Sequence, residues 1–161
     1  MASTFKEFLR QQAEKHGAEA QARKAVVEEW RSAIERLYAQ VRGWLKGSDP
    51  GGAIEIEVSE EDVTEPGLGR YRVPRLDLRA FGKWVGLIPK ARKTVGTAQP
   101  PQKRAPERAA GRVDITDELR RYVLYRFQED GSDVWLIDDL KSGPKPLDQD
   151  AFESALMSYL Q

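Results

Sequence analysis

The chain has 161 residues, enough for one domain with a real core, and 40% of them are apolar, including four Trp, five Tyr and five Phe. It has no Cys, which excludes disulfides, thiolate metal sites and cysteine nucleophiles, and one His, so a Ser-His-Asp triad or a His-ligated metal would rest on His16 alone. Net charge is zero, 26 basic against 26 acidic residues, and no apolar run approaches the length of a membrane span or a signal-peptide core, which predicts a soluble cytoplasmic protein.

The charge is sorted into blocks. Net values are +3 over 1–48, −7 over 49–69, +10 over 70–112 and −6 over 113–161. Either the blocks neutralise one another within the fold, or the basic block faces a polyanion or an acidic partner.

Thr4-Phe-Lys-Glu7 reads as a capping box, with Phe5 and Leu9 one turn apart on one face and Gly17 as a break. His16, just before Gly17, then serves the end of that first helix. From Ala20 the pattern strengthens. Val26, Val27, Trp30, Ile34, Leu37, Tyr38, Val41, Trp44 and Leu45 recur at steps of three and four, predicting one amphipathic helix stopped by Gly47 and Ser48-Asp-Pro-Gly-Gly52. Its two Trp residues read as core because they keep register with the aliphatics.

After Gly52 the period becomes two. Ala53–Val58 alternates, with Ile54, Ile56 and Val58 inward and Glu55 and Glu57 outward. Ser59-Glu-Glu-Asp62 reads as a turn or a short capped helix rather than an acidic docking patch. Arg70–Arg79 alternates again, with Tyr71, Val73, Leu76 and Leu78 inward, and Pro74 marking a bulge or an edge position. Trp84–Ile88 and Gly111–Ile115 are further strands, while residues 97–111, rich in Pro and lacking bulky apolar groups, read as a mobile basic loop. Arg121–Phe127 and Asp133–Ile137 flank Glu129-Asp-Gly-Ser132 as a hairpin. A closing helix over 148–160 has Asp148 as N-cap, Leu147 and Phe152 as a hydrophobic staple, and Phe152, Ala155, Leu156, Tyr159 and Leu160 as its buried stripe.

These elements predict a single α+β domain: residues 1–47 helical, a five- or six-stranded antiparallel sheet over 53–138 with hairpin connections, and the closing helix. The glycines form no phosphate loop, since no Gly-x-x-x-x-Gly-Lys-Ser/Thr string occurs.

Two constellations carry chemistry. Arg70, Arg72, Arg75 and Arg79 share one outward strand face and, with the loop residues Lys103, Arg104 and Arg108, form a basic surface that fits phosphates or an acidic protein. Glu55 and Glu57 lie across the ladder if the two strands pair, so its arginines are expected to be neutralised internally and only the loop cations to be unpartnered. The second constellation is Asp114, then Trp135-Leu-Ile-Asp-Asp-Leu-Lys-Ser-Gly143. It resembles the D…DxKxG signature of the PD-(D/E)xK nuclease superfamily, its RecB-like branch especially. That resemblance implies Asp114 and Asp139 as carboxylate ligands of a divalent metal such as Mg²⁺ and Lys141 as the residue assisting the attacking water, with Asp139 and Lys141 on one side of a strand.

The favoured reading is a non-enzymatic accessory protein without a cofactor, binding another protein through the basic strand–loop region 70–112. A metal-dependent nuclease using Asp114, Asp139 and Lys141, or a nucleic-acid-binding protein, is the alternative.

Overall fold

The computed structural model describes residues 4–93 and 109–161. In chain order it holds α1 (Thr4–Ser48), β1 (Glu55–Glu65), β2 (Gly69–Ala80), β3 (Lys83–Ala91), β4 (Arg112–Thr116), β5 (Arg121–Glu129), β6 (Ser132–Asp138), β7 (Pro144–Pro146) and α2 (Gln149–Leu160). The seven strands form one antiparallel sheet whose spatial order is the sequence order. The α+β architecture is the one expected, with one strand more than the six the alternation outlined. That extra strand, β7, is three residues bounded by two prolines and has no alternation to show.

Both helices cover the same face. Trp30, Ile34, Leu37 and Val41 of α1 and Phe152, Ala155 and Leu156 of α2 join Val85, Leu87, Val113, Ile115, Leu124 and Ile137 in a single core. The stripe at three- and four-residue spacing is thus the buried face of α1. Asp148 caps α2 as expected, accepting from the Ala151 N–H at 2.7 Å. Asp130 and Gly131 both have positive φ, 49° and 77°, which gives the β5–β6 hairpin its tight turn.

Five local expectations are corrected. The helix does not break at Gly17. The flanking Ala, Gln, Lys and Arg residues are strong helix formers, so one glycine costs only about 1 kcal/mol against an already propagating helix. His16 is therefore mid-helix, beside Glu19 at 4.0 Å, and caps nothing. Phe5 and Leu9 are exposed, and Glu7 turns to Arg10 rather than back to the first turn. Ser59–Asp62 is strand, paired with Arg75, Pro74, Val73 and Arg72 of β2. Val58 is 47% exposed, because β1 is the edge of the sheet and α1 covers only part of it.

Pro74 marks an edge, as its missing N–H suggested. β2 pairs with β3 only from Leu76 onward, so the half of the β1–β2 hairpin beyond Pro74 leaves the main sheet. It folds over the core, and Val63, Leu68 and Tyr71 are buried there. Two β2 carbonyls freed at this bend turn to the helix: Pro74 O accepts from the Tyr38 hydroxyl at 3.0 Å, and Arg72 O from Arg31 at 3.0 Å. This bend is why Val73 and Leu76, three residues apart, both reach the core. At the tip, the buried Glu65 carboxylate accepts from the N–H groups of Arg92 and Lys93, each at 2.8 Å, fastening the hairpin to the end of β3.

The docking of α1 is centred on Trp30. Its ring lies where any side chain at residue 111 would sit: a Cβ added at Gly111 would meet the indole at 2.3 Å. Trp135 stacks beside it at 6.2 Å between centroids, and the Arg126 guanidinium lies 5.9 Å from its centroid. Arg126, 1% exposed, is held by Glu29 at 2.6 Å and Asp133 at 2.8 Å, and Asp133 also accepts from Arg36 at 2.7 Å. Burial alone would raise the Asp133 carboxyl, but Arg36 and Arg126 outweigh it and hold it below the usual value.

Trp30→Ala is expected to lower unfolding free energy by about 3–5 kcal/mol, read as a fall in the denaturant midpoint. An unchanged midpoint would mean the stripe does not anchor the helix. Asp133, with its folded-state pKa depressed, contributes stability that is present above the unfolded carboxyl pKa and lost as pH falls through the lowered value. Stability measured against pH should therefore decline more gently below about pH 4 in Asp133→Asn than in the wild type.

Candidate binding face

The four ladder arginines do not share one face: Arg75 and Arg79 stand on the helix-free face of the sheet, whereas Arg70 and Arg72, at the alternate positions of β2, lie beyond Pro74 in the half of the hairpin that leaves it. Arg79 reaches Glu57 at 3.0 Å, Arg75 reaches Glu61 at 2.9 Å and Asp77 at 2.7 Å, and Arg70 and Arg72 share Asp62 at 3.3 and 3.5 Å. All four ladder arginines thus meet carboxylates of their own hairpin, but of the expected partners Glu55 and Glu57 only Glu57 takes one among the described residues. The strand Ser59–Asp62, read as a turn, supplies two of those partners, Glu61 and Asp62. Lys103, Arg104 and Arg108 lie outside the described residues.

The ladder leads into a denser network. Trp84 on β3 donates its indole N–H to Asp77 Oδ1 at 2.7 Å, and Arg75 holds the same carboxylate while lying 5.9 Å from the Trp84 ring. Burial alone would raise the Asp77 carboxyl, and Arg75 and Trp84 together hold it below the usual range. The indole lies flat over Gly86, where an added Cβ would meet it at 2.7 Å. Only glycine leaves room for that ring.

Beside this network runs a groove of about 810 Å³, walled by Arg75, Asp77 and Arg79 on β2, Trp84, Ile88 and Lys90 on β3, Asp114 and Thr116 on β4, and the turn into β5. That turn is fixed by its own side chains. Asp117 accepts from the N–H groups of Leu119 and Arg120 at 3.0 and 2.9 Å, and the Thr116 hydroxyl bridges Glu118 N–H and Arg120 C=O. Leu119 is left 90% exposed at the rim. Arg120 turns away to the Ser158 carbonyl at 2.8 Å and lies over Tyr159.

The cations of this groove differ in what they already hold. Arg75 and Arg79 have carboxylate partners, and Arg120 has a carbonyl and an aromatic face. The side chains of Lys90 and Arg121, both exposed, make no hydrogen bond or ion pair among the described residues. Arg121 stands beside Thr116, which faces Gly86, so register sets it across the groove from Trp84 and Asp77. Sequence reasoning grouped Lys90 with the basic block but missed Arg121, Trp84 and Asp77 as one site. The signal available was Gly86 two residues beyond Trp84, a vacancy on the same strand face that an aromatic ring can fill.

The nuclease-like residues are dispersed. Asp114 is buried on β4 and held by Arg112 at 2.8 Å. Asp139 and Lys141 are not on a strand, since β6 ends at Asp138 and Leu140 has a φ of 64°. Asp139 instead accepts from the N–H groups of Ser142 at 2.7 Å and Lys141 at 2.8 Å, which hold its carboxyl below the usual value, and the Lys141 side chain is exposed. The residue sharing Asp114's row is Asp138, two strands away across Val123. Among the described residues no three His, Cys, Asp or Glu side chains are grouped as a metal site. No helix among them is long and apolar enough to cross a membrane.

No protein-family model, curated protein or solved structure matches the chain.

The network sets different costs along the ladder. Arg75→Ala leaves Asp77, 6% exposed, short of its cation and should cost about 1.5–3 kcal/mol in denaturant unfolding. Arg79→Ala frees only the exposed Glu57 and should cost less than about 1 kcal/mol. Equal effects would mean the Arg75–Asp77–Trp84 network adds nothing to an ordinary surface pair.

Proposed function

We propose that the chain is a non-enzymatic protein-binding module whose contact is the helix-free face of its sheet, with an acidic segment of another protein seated in the groove across β2–β5. The observation that carries this reading is the pair Lys90 and Arg121, the groove cations that no described carboxylate neutralises. The ladder arginines frame the surface but are already paired, so the contact narrows from the whole basic block to this groove. Trp84 and the exposed Leu119 add apolar anchors beside the two charges, the mixture found at the centres of protein interfaces.

A protein segment fits better than a nucleic acid. Asp77, Asp114 and Glu118 are interleaved with the cations, so a phosphodiester carrying one charge per nucleotide meets a carboxylate at nearly every step. A polypeptide can set acids against Lys90 and Arg121 and neutral groups against the carboxylates.

The test is a fluorescence titration of an acidic peptide containing Glu and Tyr, and of single- and double-stranded oligonucleotides, over a salt series. The peptide should bind, weaken with salt, and lose about tenfold or more in affinity with Lys90→Ala/Arg121→Ala. Nucleic-acid binding whose log K falls with log salt, with a slope that the double variant flattens by about two phosphates' worth, would replace the protein reading. Metal-dependent cleavage of DNA or RNA that Asp139→Ala abolishes would overturn the non-enzymatic reading.

A further inference from the structure

The two edges of the sheet are unlike. β7 is three residues with proline at both ends, a blunt edge that offers little backbone to a neighbour. β1 is 11 residues with neither proline nor glycine, and among the described residues it pairs only with β2. One side of its backbone therefore carries a long row of N–H and C=O groups that no other strand among the described residues pairs.

Charge is the usual protection of such an edge, and β1 has six carboxylates. Several of these are drawn back over β2: Glu57 and Glu61 are held by Arg79 and Arg75, and Asp62, at an alternate position, by the Arg70–Arg72 pair. On the helix side the edge is apolar where it matters. Val58 is 47% exposed and, with Ala39 of α1 and Pro74, lines a groove of about 440 Å³ between the helix and the edge strand. Arg31, bound to Glu60 at 2.5 Å, ties helix to strand at this groove. An unpaired strand flanked by a helix, with an apolar slot between them, is the arrangement that accepts an added strand: main-chain hydrogen bonds bind it and the slot takes its alternate side chains.

We propose that β1 receives an extended segment of another protein as an eighth strand, and that this segment alternates apolar and basic residues. The apolar residues would enter the slot beside Val58, and the basic ones would face Glu55 and Glu57. Charge decides against a second copy of this chain, because β1 itself carries acidic and no basic residues, so a second β1 would bring no base to face Glu55 and Glu57 and only more carboxylate. The proposal does not depend on the groove across β2–β5, which lies on the other face.

The experiment titrates the full chain into three labelled peptides of about nine residues: alternating Lys and Val, alternating Glu and Val, and the Lys–Val peptide N-methylated at alternate amides. The Lys–Val peptide is expected to bind. The Glu–Val and N-methylated peptides should each bind about tenfold or more weakly, the first from charge and the second from lost main-chain bonds. Val58→Asp should weaken Lys–Val binding to the same degree without lowering the thermal midpoint, since Val58 is already half in solvent, and Lys90→Ala/Arg121→Ala should leave it unchanged. Hydrogen exchange should slow in β1 when the peptide is bound. Equal binding of the N-methylated peptide would reduce the contact to unspecific charge attraction and overturn strand addition. So would an absence of binding at about 1 mM peptide. Dimerisation of the chain alone through β1, seen by sedimentation and abolished by Val58→Asp, would overturn the proposed occupant.

Discussion

The contact between Trp30 and Gly111 is the constraint on which the rest of the molecule depends. Residues 4–25 of α1 are almost wholly exposed, so the core contacts of a 45-residue helix fall between Val26 and Leu45. Trp30 is the first fully buried side chain in that stretch, and its ring occupies the space where residue 111 has no Cβ. A side chain at residue 111 would force the indole, and the helix that carries it, to shift. The Arg126 guanidinium makes the contact directional, because its charge, taken from water, is matched only when Glu29 of α1 and Asp133 of β6 both reach it. Apolar burial sets how firmly the helix holds, and the ion pairs set the angle at which it lies.

With one face given to the helices, the other must be stable in water without them. The chain does this by pairing opposite charge across β1 and β2, which is why the blocks of −7 and +10 adjoin in sequence. Where the strands have water on one side, each pair contributes only a few tenths of a kcal/mol. Around Asp77 the same chemistry is buried, and there Arg75 and the Trp84 indole build a rigid platform. One strand thus carries both solvated ion pairs and a buried hydrogen-bonded network, separated only by burial.

Much of this was legible in the sequence. The stripe of α1, the Asp130-Gly131 turn and the cap at Asp148 are local signals, each written within a few residues. What was not legible is non-local. Ser59-Glu-Glu-Asp62 has the composition of a turn, and becomes strand because arginines at 72 and 75 stand opposite it. Gly17 looks like a stop only if the helix needs tertiary support there, and its alanine-rich neighbours do not. The site was half visible. Alternation pointed to Glu57 as a partner of the arginines but not to their division at Pro74, and Arg121 joins Trp84 only through the registers of β3, β4 and β5, which no single segment contains. Asp139 and Lys141 failed as a strand pair for a local reason, since Asp139 finds two backbone N–H groups in its own turn and ends the strand before Lys141.

The exposed half of α1 follows from the same division between local and tertiary support. Its 22 residues, about 33 Å of helix at 1.5 Å per residue, extend past the last core contact with only their own side chains to hold them. Arg10 bridges Glu7 and Glu14, and the intervening positions are mostly Ala, Gln, Glu and Lys, which lose little entropy in a helix. Such pairs contribute a few tenths of a kcal/mol each, too little to nucleate a helix but enough to extend one that the core has already started at Trp30. The arm is therefore a consequence of the docking at Gly111: loosen that contact and the propagation that carries Phe5 and Phe8 to the far end loses its origin.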